Sequence, residues 1–273
     1  HYNNLCNFLK DTDIKIALLT GSVTKKDKWE IYKGLKNGSI NMVIGTHALI
    51  QDEVEYNNLG LVITDEQHRF GVHQRANLQN KGIKPDVLYM SATPIPRTYA
   101  LTIFGDMDVS TIKERPKGRQ KIDTFVKKNS EIKEVLGMMY EELKNKHQVY
   151  VIAPLIEESE NSDLNTVNEL RDQMKLAFGE KYKIDIVHGK MASGAKDLIM
   201  EQFKKNEVQI LISTTVVEVG VDVPNATTMV IFDADRFGLS TLHQLRGRVG
   251  RGTSKSQCIL ISDSDAERLK IIE

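Results

Sequence analysis

The two halves of the sequence carry matching residues at a constant spacing of 168 positions. The matched pairs are Gly21 with Gly189, Lys36 with Lys204, Thr46 with Thr214, and Asp65 with Asp233. Between these landmarks each half has the same order of predicted elements: a glycine after a strand, a helix, a strand ending at Thr and a strand ending at Asp. One spacing shared by four landmarks indicates two related lobes.

Short apolar runs alternate with stretches of helical spacing along the whole chain. We predict buried strands over residues 14–19, 42–44, 61–64, 87–90, 149–153, 184–187, 208–212, 228–232 and 258–261. Helical spacing is clearest over 27–35, where Lys, Glu and apolar residues mix. Strands that alternate with helices are typical of parallel sheets built from βαβ units, so the predicted fold class is α/β.

Composition narrows the class of protein without identifying a partner. The 273 residues are 40% hydrophobic, which is enough for one or two domains with a sizeable core. The aromatic content of 6% favours aliphatic α/β packing over an all-β sandwich. Basic and acidic residues both number 37, so the net charge gives no argument for nucleic acid, although a local basic surface stays compatible with it.

Cysteine use and hydropathy indicate a cytoplasmic protein. Cys6 and Cys258 lie far apart, and Cys258 stands in an apolar run where a buried thiol is expected. The pattern fits neither a disulfide framework nor a zinc site. We find no signal peptide and no apolar run near the length of a membrane span, and we therefore predict no membrane association.

Two carboxylates follow the predicted strand 61–64 directly. A strand buried on both faces of a parallel sheet places the next residues at the edge where open α/β sheets bind ligands. There Asp65 could hold Mg²⁺ on a nucleotide, and Glu66 could orient water against the γ-phosphate. Taken alone, the same pair also fits a solvated turn. In the second half Asp233 is followed by Ala234, so only the first lobe would carry this chemistry.

The predicted boundary between the lobes is a polar, basic segment. A proline and a glycine interrupt helix and strand there, and residues 113–121 hold five basic residues against one acidic residue. We predict a first lobe over 1–115, a linker over 116–128 and a second lobe over 129–273. A solvated linker and a phosphate contact are equally compatible with the charge.

Further polar stretches follow predicted strands. Ser91 and Thr93 offer small hydroxyl groups at a strand end, where they could touch the carboxylates. Residues 213–222 follow another strand, and a later stretch carries Arg248 and Arg251 among glycines. Two arginines three positions apart can place guanidinium groups on phosphate oxygens, although a basic surface turn explains that stretch equally well by itself. The occurrence of all these stretches in one order on two related lobes argues against coincidence.

Together these stretches resemble the motor of superfamily 2 helicases and translocases. The matching segments are 45–50 (motif Ib), 65–68 (motif II), 91–93 (motif III), 213–222 (motif V) and 244–251 (motif VI, Q-x-x-G-R-x-G-R). The longer strings at 65–72 and 91–98 resemble the bacterial RecG family, which remodels stalled forks and Holliday junctions. The transcription-repair coupling factor Mfd shares part of these strings, but its motif II differs at the positions of Gln67 and His68.

The resemblance implies two RecA-like lobes with parallel sheets and ATP bound between them. It implies Asp65 as the Mg²⁺ ligand and Glu66 as the residue that orients the attacking water. The implied arginine fingers are Arg248 and Arg251, and the further nucleotide contacts are Gln244, Gly220 and Asp222. The residues implied to couple phosphate state to DNA are His68, Ser91 and Thr93. The implied DNA contacts are Gly45, Thr46, His47, Thr214 and Thr215.

The family's phosphate-binding loop has no counterpart in the sequence, which contains no Gly-x-x-x-x-Gly-Lys-Ser/Thr. The chain begins without Met, and the resemblance begins downstream of that loop and of the family's wedge domain. We therefore expect a motor-region fragment with an incomplete first lobe. The parent protein is expected to hydrolyse ATP, and the isolated chain is not.

Branched DNA is the implied partner, and its shape would be recognised because backbone contacts carry no sequence code. The resemblance further implies a monomer in the bacterial cytoplasm, associated with the nucleoid and with single-stranded DNA-binding protein. Three other functions stay open at this point: an Mfd-like translocase, a DNA-binding fragment without catalysis, and an unrelated α/β phosphotransferase. The phosphotransferase would need neither paired lobes nor the arginine stretch.

Overall fold

The computed structural model describes residues 1–65, 81–91, 108–112, 114, 121–154, 162–214 and 222–272. The chain separates into two compact units, His1–Pro94 and Ile95–Glu273. Each unit combines helices with parallel strands, which confirms the predicted α/β class.

Within its described residues, the first unit contains two pairs of short strands. Its helices are α1 (Tyr2–Phe8) and α2 (Lys25–Lys36), and its strands are β1 (Ile16–Leu19), β2 (Met42–Gly45), β3 (Leu61–Thr64) and β4 (Asp86–Tyr89). A short 3₁₀ helix, His47–Ile50, follows β2. β1 pairs with β2 and β3 pairs with β4, both in parallel. The carboxyl ends of the two strands in each pair therefore lie at one edge.

Helix α2 begins where Thr24 caps it. The Thr24 hydroxyl accepts a hydrogen bond from the Asp27 backbone N–H at 3.2 Å, and Asp27 places a negative charge in the first turn, where the helix dipole favours it. The buried side of α2 contributes Leu35 to a small core that includes Leu19 and Ala48. This core holds α2 and the 3₁₀ helix against the β1–β2 pair.

Among its described residues, the second unit is built on one parallel sheet of six strands. The strands are β5 (Ile122–Lys127), β6 (Gln148–Ile152), β7 (Ile184–Val187), β8 (Ile210–Ser213), β9 (Ala226–Ile231) and β10 (Ser256–Ile261). Its helices are α3 (Ile132–Lys144), α4 (Ser162–Phe178), α5 (Ser193–Lys204), α6 (Leu239–Arg246) and α7 (Glu267–Ile272). The strand order in the sheet is β5–β10–β9–β6–β8–β7.

The sheet of the second unit has its core on both faces. Along β6, Tyr150 and Ile152 belong to the cluster under α5, α6 and α7, while Val149 and Val151 belong to the cluster under α3 and α4. All four side chains are at most 2% exposed. Such continuous apolar strands are expected in a parallel sheet covered on both sides. None of the helices within the described ranges is long and apolar enough to span a membrane.

The register of the strand pairs confirms the repeat at 168 positions. β1 pairs with β2 starting from Ile16 beside Met42, and β7 pairs with β8 starting from Ile184 beside Ile210. The helices between these strands, α2 and α5, both have 12 residues and start at the same offset. The strand–helix–strand unit is therefore repeated residue for residue in the two lobes.

One strand lies within the predicted linker. Residues 122–127 form β5, which pairs with β10 at the edge of the second sheet, with Ile122 beside Ser256. The polar residues Asp123 and Lys127 interrupt its apolar pattern, and an edge strand tolerates such residues better than a central one. The predicted linker is therefore wrong from residue 122 onward, where the chain already belongs to the second sheet.

The prediction that residues 61–64 are buried on both faces is wrong. Val62 and Thr64 are 6% and 7% exposed, but Leu61 and Ile63 are 56% and 55% exposed. Because side chains alternate along a strand, one face of β3 is covered and the other is open. In the second unit β6 lies between β8 and β9, whereas no strand joins β2 to β3 among the described residues of the first unit. An unbroken apolar run in the sequence does not distinguish a strand covered on both faces, such as β6, from one covered on a single face, such as β3.

Candidate nucleotide and nucleic-acid sites

Asp65 and Ser91 stand at the carboxyl ends of neighbouring strands. β3 and β4 pair in parallel with Thr64 beside Tyr89, and the Met90 N–H donates to the Thr64 carbonyl at 2.8 Å. Asp65 follows Thr64 directly, and Ser91 follows Met90. The structure therefore brings two predicted site residues to one edge of the β3–β4 pair.

The Asp65 carboxylate is accessible. Its side chain is 47% exposed, and its Oδ2 lies 3.3 Å from Nε2 of His1. Such a carboxylate suits Mg²⁺, which takes one or two protein carboxylates and completes its shell with water and substrate phosphates. In the described part of the chain, no group of three or more His, Cys, Asp or Glu side chains could hold a metal ion. The accessible Asp65 carboxylate could supply one ligand to a metal ion whose other ligands are water and substrate phosphates.

Five predicted site residues lie outside the described ranges, namely Glu66, His68, Thr93, Thr215 and Gly220. Their roles therefore stay predictions. The predicted site residues that the structure describes are Gly45, Thr46, His47, Asp65 and Ser91 in the first unit, and Thr214, Asp222, Gln244, Arg248 and Arg251 in the second.

Position 234 of the second lobe has no room for a water-orienting carboxylate. Asp233, the counterpart of Asp65, has a left-handed backbone with φ of 45° and precedes the 3₁₀ turn Ala234–Arg236. Ala234, the counterpart of Glu66, has no exposed surface and packs in the apolar cluster under α5, α6 and α7. A carboxylate at this position would have to be buried among apolar side chains, which is costly. The lobes share their strand positions but differ in chemistry here.

Thr46 and His47 are exposed in the loop after β2. Gly45, the last residue of β2, lies so close to β1 that a Cβ atom there would stand 2.1 Å from the Leu19 carbonyl oxygen. Glycine is therefore required at this position. Because it has no side chain, the start of the loop lies directly against β1. Hydroxyl and imidazole groups at such a place are suited to contacts with a nucleic-acid backbone.

Thr214 differs from Thr46, its counterpart in the first lobe. It follows β8, its side chain is 6% exposed, and the Ser213 hydroxyl donates to its carbonyl at 2.9 Å. A side chain with so little exposed surface has little to offer DNA. A contact at Thr214 would therefore use the backbone of this loop.

Glycines shape the turn that carries Arg248 and Arg251. Gly250 has φ of +73°, and a Cβ atom there would lie 2.8 Å from Cγ1 of Ile122 on β5. A Cβ atom on Gly252 would lie 2.6 Å from a backbone carbonyl oxygen. Gly250 is favoured because its backbone is left-handed and because Ile122 lies close to it. Gly252 is favoured because a backbone carbonyl oxygen lies close to it. The tight turn fixes where the two arginines leave the backbone.

Arg251 is paired with Asp222. Nη1 of Arg251 lies 3.5 Å from Oδ1 of Asp222, and the two side chains are 30% and 60% exposed. The Nε–H of Arg251 donates to the Gly247 carbonyl at 3.4 Å. The structure therefore brings together two predicted nucleotide-site residues that lie far apart in the sequence, and it leaves the guanidinium group partly accessible.

The arginines of this stretch have different surroundings. Nη1 of Arg246 donates to the Ile272 carbonyl at 2.8 Å, so Arg246 fastens α6 to the end of α7. Arg248 is partly buried, as is Gln244 one turn earlier on α6. Arg246 is thus engaged within the fold, and the phosphate contacts of Arg248 and Arg251 stay predictions.

Tyr150 is a neighbour of the site that sequence reasoning missed. Burial in β6 raises the pKa of its hydroxyl to about 12, although the positive charges of Arg248 and Arg251 act in the opposite direction. The negative charge of Asp222 acts in the same direction as burial. Tyr150 therefore lies within electrostatic reach of all three residues. Nothing in the sequence indicated this, since Tyr150 stands in an apolar strand far from the arginines along the chain.

Two helicase family models match the chain. Residues 1–102 match the DEAD/DEAH box helicase family, and residues 127–253 match the helicase conserved C-terminal domain. The first match includes Asp65 and Ser91, and the second includes the Asp222–Arg251 pair. The two matches fall on the two lobes.

Curated relatives match nearly the whole chain. The ATP-dependent DNA helicase RecG of Bacillus subtilis is 53% identical over 267 residues, which is 98% of this chain and 39% of the relative. RecG of Streptococcus pneumoniae is 51% identical over 276 residues, which is 100% of this chain and 41% of the relative. The chain thus spans about two fifths of the length of these relatives.

Solved helicase structures match the fold. A RecG bound to a three-way DNA junction is 41% identical with a TM-score of 0.75, and the match covers 100% of this chain and 35% of that one. The helicase MrfA bound to DNA and AMPPNP is 20% identical with a TM-score of 0.71, and the match covers 99% of this chain and 41% of that one. At that identity the likeness to MrfA concerns the fold alone.

Proposed function

Because the chain belongs to the RecG family of helicases, we propose that it is the motor region of an ATP-dependent DNA helicase that remodels branched DNA. The observation that carries this proposal is that the strand–helix–strand unit is repeated, while the residues that follow the equivalent strands differ between the two lobes. One lobe has Asp65-Glu66 after its strand, and the other has Asp233 followed by the buried Ala234. A duplicated fold in which one copy holds the carboxylates and the other the arginines suits a two-lobed nucleotide motor.

In the first lobe, Asp65 would coordinate Mg²⁺ of a bound Mg–ATP, and Glu66 would orient the attacking water. The metal ion neutralises charge on the phosphates when it is bound. The accessible carboxylate of Asp65 at the end of β3 supports the first role. The adjacent Ser91, with Thr93 and His68, would sense the phosphate state and pass it to the DNA contacts.

In the second lobe, Arg248 and Arg251 would stabilise the charge that develops on the transferred phosphoryl group. The glycine-shaped turn and the Asp222 carboxylate support this role, because they fix the position of the Arg251 guanidinium before nucleotide binds. Further nucleotide contacts are proposed for Gln244, Gly220 and Asp222.

DNA would be held through its backbone by the loops after β2 and β8. The exposed Thr46 and His47 support this role for the first lobe. In the second lobe Thr214 and Thr215 would contribute, with Thr214 acting through its backbone. Contacts of this kind carry no sequence information, so the protein would select DNA by shape. The RecG identity of the relatives favours branched-DNA remodelling over Mfd-like coupling to transcription.

We further propose a monomer in the bacterial cytoplasm that acts at the nucleoid with single-stranded DNA-binding protein. The test of the central proposal uses a chimera in which this chain replaces the matching region of the Bacillus subtilis relative. Three-way junction DNA should stimulate ATP hydrolysis by the chimera, and Glu66→Gln should abolish most turnover while nucleotide binding is retained. Near-normal stimulated hydrolysis in the Glu66→Gln chimera would refute the assigned chemistry.

A further inference from the structure

Helix α2 presents a basic and aromatic stripe to solvent. Lys25, Lys26, Trp29 and Lys33 are all exposed. Trp29 stands three or four positions from each of the three lysines, so the four residues share one side of the helix. We call these four residues the α2 stripe. Trp29 is 60% exposed, and Nζ of Lys33 lies 5.4 Å from the centre of its ring. The opposite side of α2 carries the buried Leu35.

The lysines of the α2 stripe have no carboxylate partner within the described ranges. Of the acidic groups nearby, the Asp27 carboxylate accepts a hydrogen bond from the Thr24 hydroxyl at 2.7 Å, and Glu55 pairs with Lys36 at 2.6 Å. Glu30 is exposed on the same helix, one turn from Lys26 and Lys33, and forms no ion pair with either. Three cations beside an exposed indole therefore stay available to a ligand. Their charge is complementary to phosphate groups.

The repeated lobe shows that the fold does not need the α2 stripe. At the offset of 168, the equivalent positions on α5 hold Ser193, Gly194, Asp197 and Glu201. The buried position is apolar in both lobes, Leu35 in the first and Phe203 in the second. Since the same helix packs in the second lobe with acidic residues at two of these positions, packing does not explain a tryptophan and lysines in the first.

The α2 stripe begins beside the candidate DNA loop. β1 and β2 pair in parallel with Leu19 beside Gly45, so the loop that leads to α2 leaves the same edge as Thr46 and His47. With a rise of 1.5 Å per residue, Trp29 lies about 7 Å along the axis from the capping Thr24. A nucleotide strand held at Thr46 could reach the stripe within a few nucleotides.

We propose that the α2 stripe binds single-stranded DNA, with one base stacked on Trp29 and phosphates paired with Lys25, Lys26 and Lys33. An exposed indole can stack on any base once that base is unpaired, and lysines bind phosphates without regard to sequence. The inference rests on the proposed function, because it assigns a further DNA contact to the same motor. It predicts that the unpaired strand at a branch point runs across α2.

The test uses the single tryptophan of the 273-residue chain as an intrinsic probe. Unlabelled oligo(dT) added at low salt should quench Trp29 fluorescence, and anisotropy of a labelled oligo(dT) should report the affinity. Trp29→Ala should weaken binding by roughly 5- to 150-fold, the usual range for loss of one base stack. The logarithm of the binding constant falls linearly with the logarithm of the salt concentration, and each phosphate contact on a single strand contributes about 0.7 to that slope. Replacing Lys25 and Lys26 together by Ala should therefore reduce the magnitude of the slope by about 1.4.

The matched control is Lys204→Ala, which removes a lysine from the equivalent helix of the second lobe and should leave affinity unchanged. Circular dichroism checks that each variant stays folded. Saturated binding without a change in Trp29 emission, or unchanged affinity in Trp29→Ala, would overturn the inference and leave the helicase proposal intact. Equal quenching by a blunt duplex would also overturn it. Stripe-dependent binding together with full activity in the Glu66→Gln chimera would instead refute the proposed function alone.

Discussion

Arg251 is held by Asp222, with 3.5 Å between Nη1 of the guanidinium and Oδ1 of the carboxylate. Because the two side chains are 30% and 60% exposed, water screens the pair, and such surface pairs contribute only about 0–1 kcal/mol to stability. The pair therefore matters for position more than for the free energy of unfolding. The Asp222 carboxylate orients the partly accessible guanidinium group of Arg251, which extends from the turn that contains Gly250 and Gly252.

Removing this cation should affect turnover and spare stability. In the chimera, Arg251→Ala should lower kcat by about 10³- to 10⁵-fold, the usual cost of losing an arginine finger. Arg251→Lys should restore little, since lysine lacks the planar fork of donors. Arg171→Ala, at a partly exposed position of α4, is the matched control and should keep full DNA-stimulated hydrolysis. A thermal melt in which Arg251→Ala lowers Tm strongly would contradict the positional role.

The chain by itself should not hydrolyse ATP. Its sequence contains no phosphate-binding loop, and Asp65 alone would hold Mg²⁺ weakly because such sites depend on phosphates for several ligands. Nucleotide titration of the purified chain with Mg²⁺, followed by phosphate release on a forked duplex, checks this. Micromolar affinity or steady turnover would show that another part of the chain supplies the missing donors.

Gly45→Ala should destabilise the first unit. A Cβ atom 2.1 Å from the Leu19 carbonyl oxygen would force β1 and β2 apart, and overpacking of this kind costs about 1–3 kcal/mol. Urea unfolding followed by fluorescence of Trp29, which lies in the same unit, measures the effect. Gly137→Ala, in the second unit and followed by circular dichroism, is the control: no atom lies within 4 Å of its added Cβ, and its place inside α3 should make alanine stabilising by about 0.5–1 kcal/mol. Equal effects of the two substitutions would refute the steric explanation.

Acid should weaken the second unit partly through His188. Burial and the positive charges of Lys196 and Lys190 lower the pKa of His188 in the folded protein. As pH falls through the unfolded value of about 6.5, the unfolded chain takes up this proton more readily, so the free energy of unfolding decreases. Above about pH 6.5, His188 does not lower the free energy of unfolding in this way. Urea midpoints by circular dichroism between pH 7.5 and 5.5 should fall less in His188→Asn. An NMR titration midpoint at or above the ordinary histidine value would contradict this.

The two thiols should differ sharply in reactivity. Cys258 has no exposed surface, and burial raises its pKa to about 12, so at pH 8 it should react with a thiol reagent only when the protein unfolds. Cys6 is partly exposed and should react in the folded chain. Above about pH 8.5 the unfolded chain would ionise Cys258 and the folded one would not, so stability should fall as pH rises further. Cys6→Ser and Cys258→Ala identify which thiol gives each phase. A rapid phase in Cys6→Ser would refute the assignment.

Strand positions and the repeat could be predicted because they follow from local patterns. Residues 184–187 were predicted as a strand and form β7 with the same bounds. The shared offset of Thr46 and Thr214 predicted equivalent strand ends, and the registers of β1–β2 and β7–β8 confirm it. Such features depend on residue spacing, which the sequence records directly.

The features that sequence reasoning missed depend on contacts between distant residues. β5 is a strand because β10 lies beside it, and its polar Asp123 and Lys127 hide that pairing. The open face of Leu61 and Ile63 depends on which elements cover β3. The approach of Tyr150 to the arginines depends on the order of strands in the sheet. None of these features has a local signal in the sequence.

Because the strand pairs of the two lobes have the same register, equivalent positions can be labelled in both lobes to measure the distance between them. Labels placed at exposed positions of the first strand–helix–strand unit and 168 positions later occupy equivalent backbone positions, for example at Lys36 and Lys204, the exposed last residues of α2 and α5. The backbone at both labelling sites would then have the same position within its own unit. A change in spectroscopic distance on adding nucleotide or DNA could be assigned to movement between the lobes, with little contribution from the labels themselves.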